Sequence, residues 1–168
     1  MTTPRESLAA WLRDAHAMEG QAETLLTAQI ERLENYPEAL PRLRSHLEET
    51  KAQRQALETC LEQLGESTSS LKDGTMKVAA NLQGWMHAMS GDEVLKNALA
   101  SAAFEQFEAA SYKMLVSAAR VADEPEIART CETLLEQEVS MADWVWSELQ
   151  PLTEKYLRRE LAGAEAKR

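Results

Sequence analysis

The sequence predicts an all-α protein, a four-helix bundle with an additional short crossover helix. Apolar residues recur at alternating three- and four-residue steps over four long stretches, a spacing that places them on one face of a helix. Five prolines and six glycines among 168 residues leave those stretches largely uninterrupted, and aromatics are only 5%. The third observation is a departure: most of the stripes carry a glutamate midway, where an apolar residue should stand.

The first helix begins near Pro4, since proline suits the first helical turn. It runs to about Glu34, where Asn35-Tyr36-Pro37 stops it, because a residue before proline is driven out of the helical region. Its stripe is Leu8, Leu12, Ala15, Glu19, Ala22, Leu26 and Leu33. The second helix spans about Glu38 to Leu64 and ends at Gly65, a residue suited to a C-terminal cap. Its stripe reads Leu40, Leu43, Leu47, Thr50, Arg54, Leu57, Leu61 and Leu64, with leucine at both ends and polar residues between. After a loop over 66–70, a shorter amphipathic helix is expected from Leu71 to Met89, with Met76, Leu82, Trp85 and Met89 on its apolar side.

Ser90-Gly91-Asp92 breaks the chain again, with Asp92 as the expected N-cap of a third helix running to about Val121. Its stripe is Val94, Ala98, Ser101, Glu105, Glu108, Tyr112, Leu115 and Ala119. Asp123-Glu124-Pro125 starts the fourth, which covers Pro125 to Gln150 through Ile127, Cys131, Leu134, Glu138, Met141 and Val145. Pro151 is expected to kink or interrupt it before a last charged segment through about Leu161.

Helices one and two, and again three and four, are joined tightly, while the middle connection is long enough to cross the bundle. One long crossover is the ferritin-like arrangement. The expected organisation is a single ferritin-like domain over 1–161 followed by a frayed tail over 162–168. Glu19 and Glu49, and likewise Glu108 and Glu138, stand thirty residues apart, so each hairpin sets a glutamate at one height on both arms.

A net charge of −10 argues against nucleic acid, whose binding depends on Lys and Arg meeting phosphates. No apolar run reaches the roughly 18 residues of a membrane span. The segment Met1-Thr2-Thr3-Pro4-Arg5-Glu6 lacks the apolar core of a signal peptide, and a cytoplasmic location is expected. Cys60 and Cys131, the two cysteines, occupy stripe positions and read as buried thiols; a disulfide between them is the alternative.

The stripe carboxylates carry the functional reading. Burying an ionised carboxylate costs several kcal/mol unless it is paired, protonated or metal-bound. Glu19, Glu49, Glu105, Glu108 and Glu138 converging at mid-bundle would form a metal site for iron, manganese or zinc, with His46 as ligand or as a hydrogen-bonding neighbour. Dimetal sites of this fold use Glu-x-x-His pairs. Here no such pair exists, and helix two carries the reverse spacing, His46-x-x-Glu49, with Gln53 a turn further on. Tyr112 can donate a hydrogen bond to a neighbouring carboxylate. Lys51, leaning inward, could neutralise a glutamate with no metal at all. His16 flanks Glu19 along the chain, His87 has no assigned role, and Met141 and Trp144 read as core packing.

Four segments in order resemble a known family. His46-Leu47-Glu48-Glu49-Thr50 with Gln53, Glu105-Gln106-Phe107-Glu108-Ala109-Ala110-Ser111-Tyr112, the stretch from Leu135 to Trp144 around Glu138, and Asp14 to Gln21 with Glu19 are similar to the four helices of YciE/YciF-type ferritin-like stress proteins. The resemblance implies a ferritin-like bundle with an extra helix, a homodimer, a link to stress responses and no assigned reaction. Gln106 and Lys51 stand where some members have histidine, which removes two donors. Two functions follow as expectations: a stress-associated protein with a metal at its centre, or a metal-free helical dimer acting as a structural or interaction protein.

Overall fold

A computed structural model describes residues 2–66 and 92–168. Four helices make up the described chain: α1 (Pro4–Arg32), α2 (Leu40–Gln63), α3 (Glu93–Val121) and α4 (Pro125–Leu161), with a short 3-10 turn at Pro37–Ala39 before α2. The helix expected over Leu71 to Met89, and His87 within it, lie outside the described residues. Among the described residues, no helix is long and apolar enough to cross a membrane.

Local chemistry explains each boundary. Thr3 caps α1 with a reciprocal pair: the Glu6 amide donates to Thr3 Oγ1 at 3.2 Å, and the Thr3 amide donates to Glu6 Oε2 at 2.7 Å. This arrangement satisfies two of the amides a helix start leaves unpaired. At the far end of α2, Gly65 takes a positive φ of 77°, the Gly65 amide donates to Glu62 O, and the Glu66 amide donates to Leu61 O. Those two bonds form a Schellman closure. Asp123 closes α3 in the same way at φ 59°, a conformation that costs an L-residue about 1 kcal/mol relative to glycine.

Three expectations change. Asp92 makes no side-chain cap to α3; the Val94 amide donates instead to the carbonyl of Lys167 at 3.1 Å. Pro151 does not interrupt α4, which stays helical to Leu161. The tail is docked rather than frayed: Ala166 is buried, its carbonyl accepts from Tyr36 Oη at 2.7 Å, and the carbonyl of Arg168 accepts from the Asn35 amide at 2.8 Å. Ion pairs from Lys167 and Arg168 to Glu93 add to these backbone contacts, and the backbone acceptors are features that a charged, Ala-rich sequence does not advertise.

The hairpins α1–α2 and α3–α4 associate mainly through α1 against α3, with α2 against α4 as a lesser contact. An apolar core at one end contains Leu8 and Leu12 of α1, Leu57 and Leu61 of α2, Leu115 of α3, and Ile127 and Cys131 of α4. Full burial of each of the larger aliphatic chains contributes about 1.5–3 kcal/mol. Further along the same helices, Leu26, Leu43, Met141 and Val145 form a second cluster with Trp144 against it. Between the two, on every helix, lie the buried polar residues. The buried face of α2 is Leu43, His46, Thr50, Gln53, Leu57, Cys60 and Leu61; Leu47 is partly buried against the second cluster, and Arg54 is only part-buried. Cys60 and Cys131 are both free thiols in the first cluster.

Candidate metal centre

Each bundle helix contributes to the polar layer. Glu19 comes from α1, His46 and Gln53 from α2, Glu105, Glu108 and Tyr112 from α3, and Glu138 from α4; all are buried. Helical periodicity does the placing, because these positions continue the apolar stripes by one or two turns.

Three of them converge. One ligating atom each from His46, Glu105 and Glu138 lies within 4.8 Å of the others. His46 Nε2 sits 3.2 Å from Glu105 Oε2 and 4.0 Å from Glu138 Oε2. The approach is that of an ion pair and not of an aligned hydrogen bond, and both Nε2 and Glu105 Oε2 lack a hydrogen-bond partner. On its other ring edge, His46 Nδ1 lies 3.1 Å from Glu49 Oε2. Glu138 Oε1 accepts from Gln53 Nε2, and Glu19 Oε1 accepts from Tyr112 Oη.

Burial dominates the electrostatics. It pushes Glu138 up to about 9, aided by the charges of Glu19 and Glu105. It pushes Glu19 up to about 7, against the hydrogen bond from Tyr112. Glu108 is raised well above the carboxylate range by burial and then by Glu19 and Glu138. Burial opposes the charged form of His46, yet Glu105, Glu138 and Glu49 outweigh it and hold the imidazole at about 9. Three carboxyls, Glu19, Glu108 and Glu138, are thus raised by burial and by the charge of neighbouring carboxylates, and the layer retains protons.

The donor set fits a cation. Glu19 Oε2, His46 Nε2, Glu105 Oε2, Glu108 Oε1 and Glu138 Oε2 are buried with no hydrogen-bond partner. An unsatisfied buried polar atom costs about 1–3 kcal/mol. A divalent cation among carboxylate oxygens and one imidazole would satisfy several of them together, and such donors suit iron or manganese.

The model of a family described as a domain of unknown function (DUF892) matches residues 3–158. The chain belongs to the DUF892 family. A protein from Xanthomonas campestris pv. campestris, known from its crystal structure, is 41% identical, with 94% of this chain and 98% of that one covered at a TM-score of 0.80. YcfI from Rhodopseudomonas palustris, described as a candidate structural protein, is 27% identical, with 85% and 92% covered at a TM-score of 0.66. The family agrees with the resemblance read from the helix motifs.

Within this DUF892 chain, the structure brings Glu19, His46, Glu105, Glu108 and Glu138 into one buried layer, with His46, Glu105 and Glu138 at its tightest point. Glu49 lies apart from that triad: its carboxylate is 30% exposed and accepts from Arg42 Nη1 at 3.0 Å as well as facing His46. Lys51 does not lean inward; it is exposed and pairs with Glu48 at 2.7 Å. His16 is buried against Glu58 at 2.9 Å and Arg54 at 3.3 Å, which occupies it on the α1–α2 seam. Tyr112 donates across the bundle to Glu19 and not to a carboxylate of its own helix. Arg42 gives no signal in the sequence beyond its place two turns before Glu49 on the same helix.

Proposed function

We propose that this DUF892 chain binds a divalent cation, iron or manganese in preference to zinc, at the centre formed by His46, Glu105 and Glu138, with Glu19 and Glu108 beside it. One observation carries the reading: ligating atoms from three helices lie within 4.8 Å of one another, fully buried, beside carboxylate oxygens that have no other partner. Iron or manganese would supply one-electron redox chemistry, of the kind a stress-associated protein could use against oxidants. The chain's own contribution is to keep water from the layer through the apolar clusters on either side, and to hold protons on Glu138 and Glu19 until a cation replaces them. Tyr112 and Gln53 orient two of the carboxylates by donating to them.

Elemental analysis of protein purified without a metal-affinity tag tests the proposal. Stoichiometric iron or manganese that falls away in Glu138→Ala supports it. Protein that takes up neither metal after supplementation overturns it.

A second reading has its own support. His46 already supplies a positive charge 3.2 Å from Glu105, and a metal-free bundle acting as a structural or interaction protein would use that charge as its internal counter-ion. The description of the Rhodopseudomonas relative points the same way. A cytoplasmic homodimer is part of both readings. The dimer is supported by the family resemblance and by the outward row Leu99, Phe107, Met114 and Val121 on α3, all exposed. Sedimentation analysis of the wild type and of Phe107→Asp checks it, with loss of the dimer in the variant as the expected result.

A further inference from the structure

The reversed spacing His46-x-x-Glu49 leaves Glu49 with no place among the converging ligands, and its geometry gives it another task. Resting on the cation reading above, we infer that Glu49 is a positioning residue, which holds the His46 imidazole so that Nε2 faces the cation, and is not itself a ligand.

The two ring nitrogens look in opposite directions. Nδ1 lies 3.1 Å from Glu49 Oε2, whereas Nε2 lies 3.2 Å from Glu105 Oε2 and 4.0 Å from Glu138 Oε2. A cation between Nε2 and those two carboxylates has the imidazole ring between itself and the Glu49 oxygen that faces Nδ1. An ionised carboxylate can only accept, so the hydrogen at that contact sits on Nδ1. With Nδ1 kept protonated by Glu49, the proton that an entering cation displaces from the imidazolium is the one on Nε2, the atom that has no hydrogen-bond partner, and the lone pair is left there. A carboxylate behind a metal-bound histidine fixes its tautomer and ring orientation in this way.

Glu49 is in turn anchored. Arg42 Nη1 donates to the same Oε2 at 3.0 Å from two turns earlier on α2. The backbone of His46 is held as well, its carbonyl accepting from Thr50 Oγ1 at 2.9 Å. Exposure falls in one step along the row: Arg42 and Glu49 are part-exposed at 24% and 30%, whereas His46, Glu105 and Glu138 are buried. A row from surface guanidinium to carboxylate to imidazole thus ends at the buried oxygens.

Cobalt(II) titration followed by visible absorption provides the test, on wild type, Glu49→Ala, Glu49→Gln, Arg42→Ala and the ligand control Glu105→Gln. Glu49→Ala should weaken binding by about 10–100-fold while the absorption bands stay where they are in wild type. Glu49→Gln, whose amide oxygen can still accept from Nδ1, should recover most of the loss, a rescue that a merely structural role would not produce. Arg42→Ala should weaken binding several-fold, and carries the test if Glu49→Ala fails to fold. Equal affinity in wild type, Glu49→Ala and Arg42→Ala overturns the inference. So do bands in Glu49→Ala that move as they do in Glu105→Gln, since Glu49 would then be a ligand. Wild type that binds no cobalt overturns the cation reading itself, and this inference with it.

Discussion

The same four helices build two neighbouring layers with opposite physics. In the layer around Leu12, Leu61, Leu115 and Ile127, aliphatic side chains pack together and their burial is a source of stability. One or two turns along, Glu19, His46, Glu105, Glu108 and Glu138 are just as buried, and burial there is a cost that pushes carboxyls upward and leaves five polar atoms without partners. The first layer holds the bundle together. The second layer costs stability, and His46, Glu105 and Glu138 within it could hold a metal ion.

Substitution should separate the layers most sharply. Leu61→Ala opens a cavity in the apolar layer and should cost about 2–5 kcal/mol of unfolding free energy, in the presence or absence of a chelator. Denaturant melts read it directly. Glu108→Leu should act in the opposite direction, stabilising the chelated protein by about 1–3 kcal/mol, because an aliphatic chain of similar size replaces a buried carboxyl with an unpaired oxygen. The same variant should bind the cation less tightly, so its melting temperature should gain less than that of wild type on metal addition.

Acidity sharpens the contrast next. Glu19 and Glu138 rise from 4.5 to about 7 and about 9, and His46 from 6.5 to about 9. A group raised in the folded state binds its proton more tightly there, so its stabilising contribution is complete below the unfolded value and is lost as pH climbs through the folded one. Chelated protein should therefore become less stable between about pH 5 and pH 9, with the carboxyls acting from the start of that window and His46 joining above 6.5. Saturating manganese should flatten the decline, since a cation takes the place of the protons. The smallest effect belongs to neither layer. Asp123→Gly relieves the positive φ at the α3 closure and should add about 0.5–1 kcal/mol, a shift of a few degrees in the melting temperature.

The helices were legible because apolar periodicity is a local signal that four long stretches repeat. The stripe glutamates were legible for the same reason, since a charged residue in an apolar row is visible without knowing its neighbours. What sequence could not supply was direction across the bundle. His46 and Gln53 are fully buried while their neighbours Leu47 and Arg54 are only part-buried, a rotation of one residue that the leucine spacing of α2 does not fix. The partner of Tyr112 is on α1, ninety-three positions away, and Glu19 could be matched to it only once α1 was packed against α3. The docked tail depends on backbone carbonyls meeting Asn35, Tyr36 and Val94, and backbone acceptors leave no trace in a residue pattern.

If the polar layer is kept for a cation, the folded protein must gain stability from one. Thermal melting of untagged wild type at pH 7.5, first stripped with chelator and then titrated with manganese(II) or anaerobic iron(II), tests it most directly. A ligand that binds only the folded state stabilises by about 2.7 kcal/mol at a hundred times its dissociation constant. A saturable rise of several degrees is expected, and Glu105→Gln and Glu138→Ala should largely abolish it. A melting temperature unmoved by chelator and by both metals, with the layer folded and intact, would contradict it.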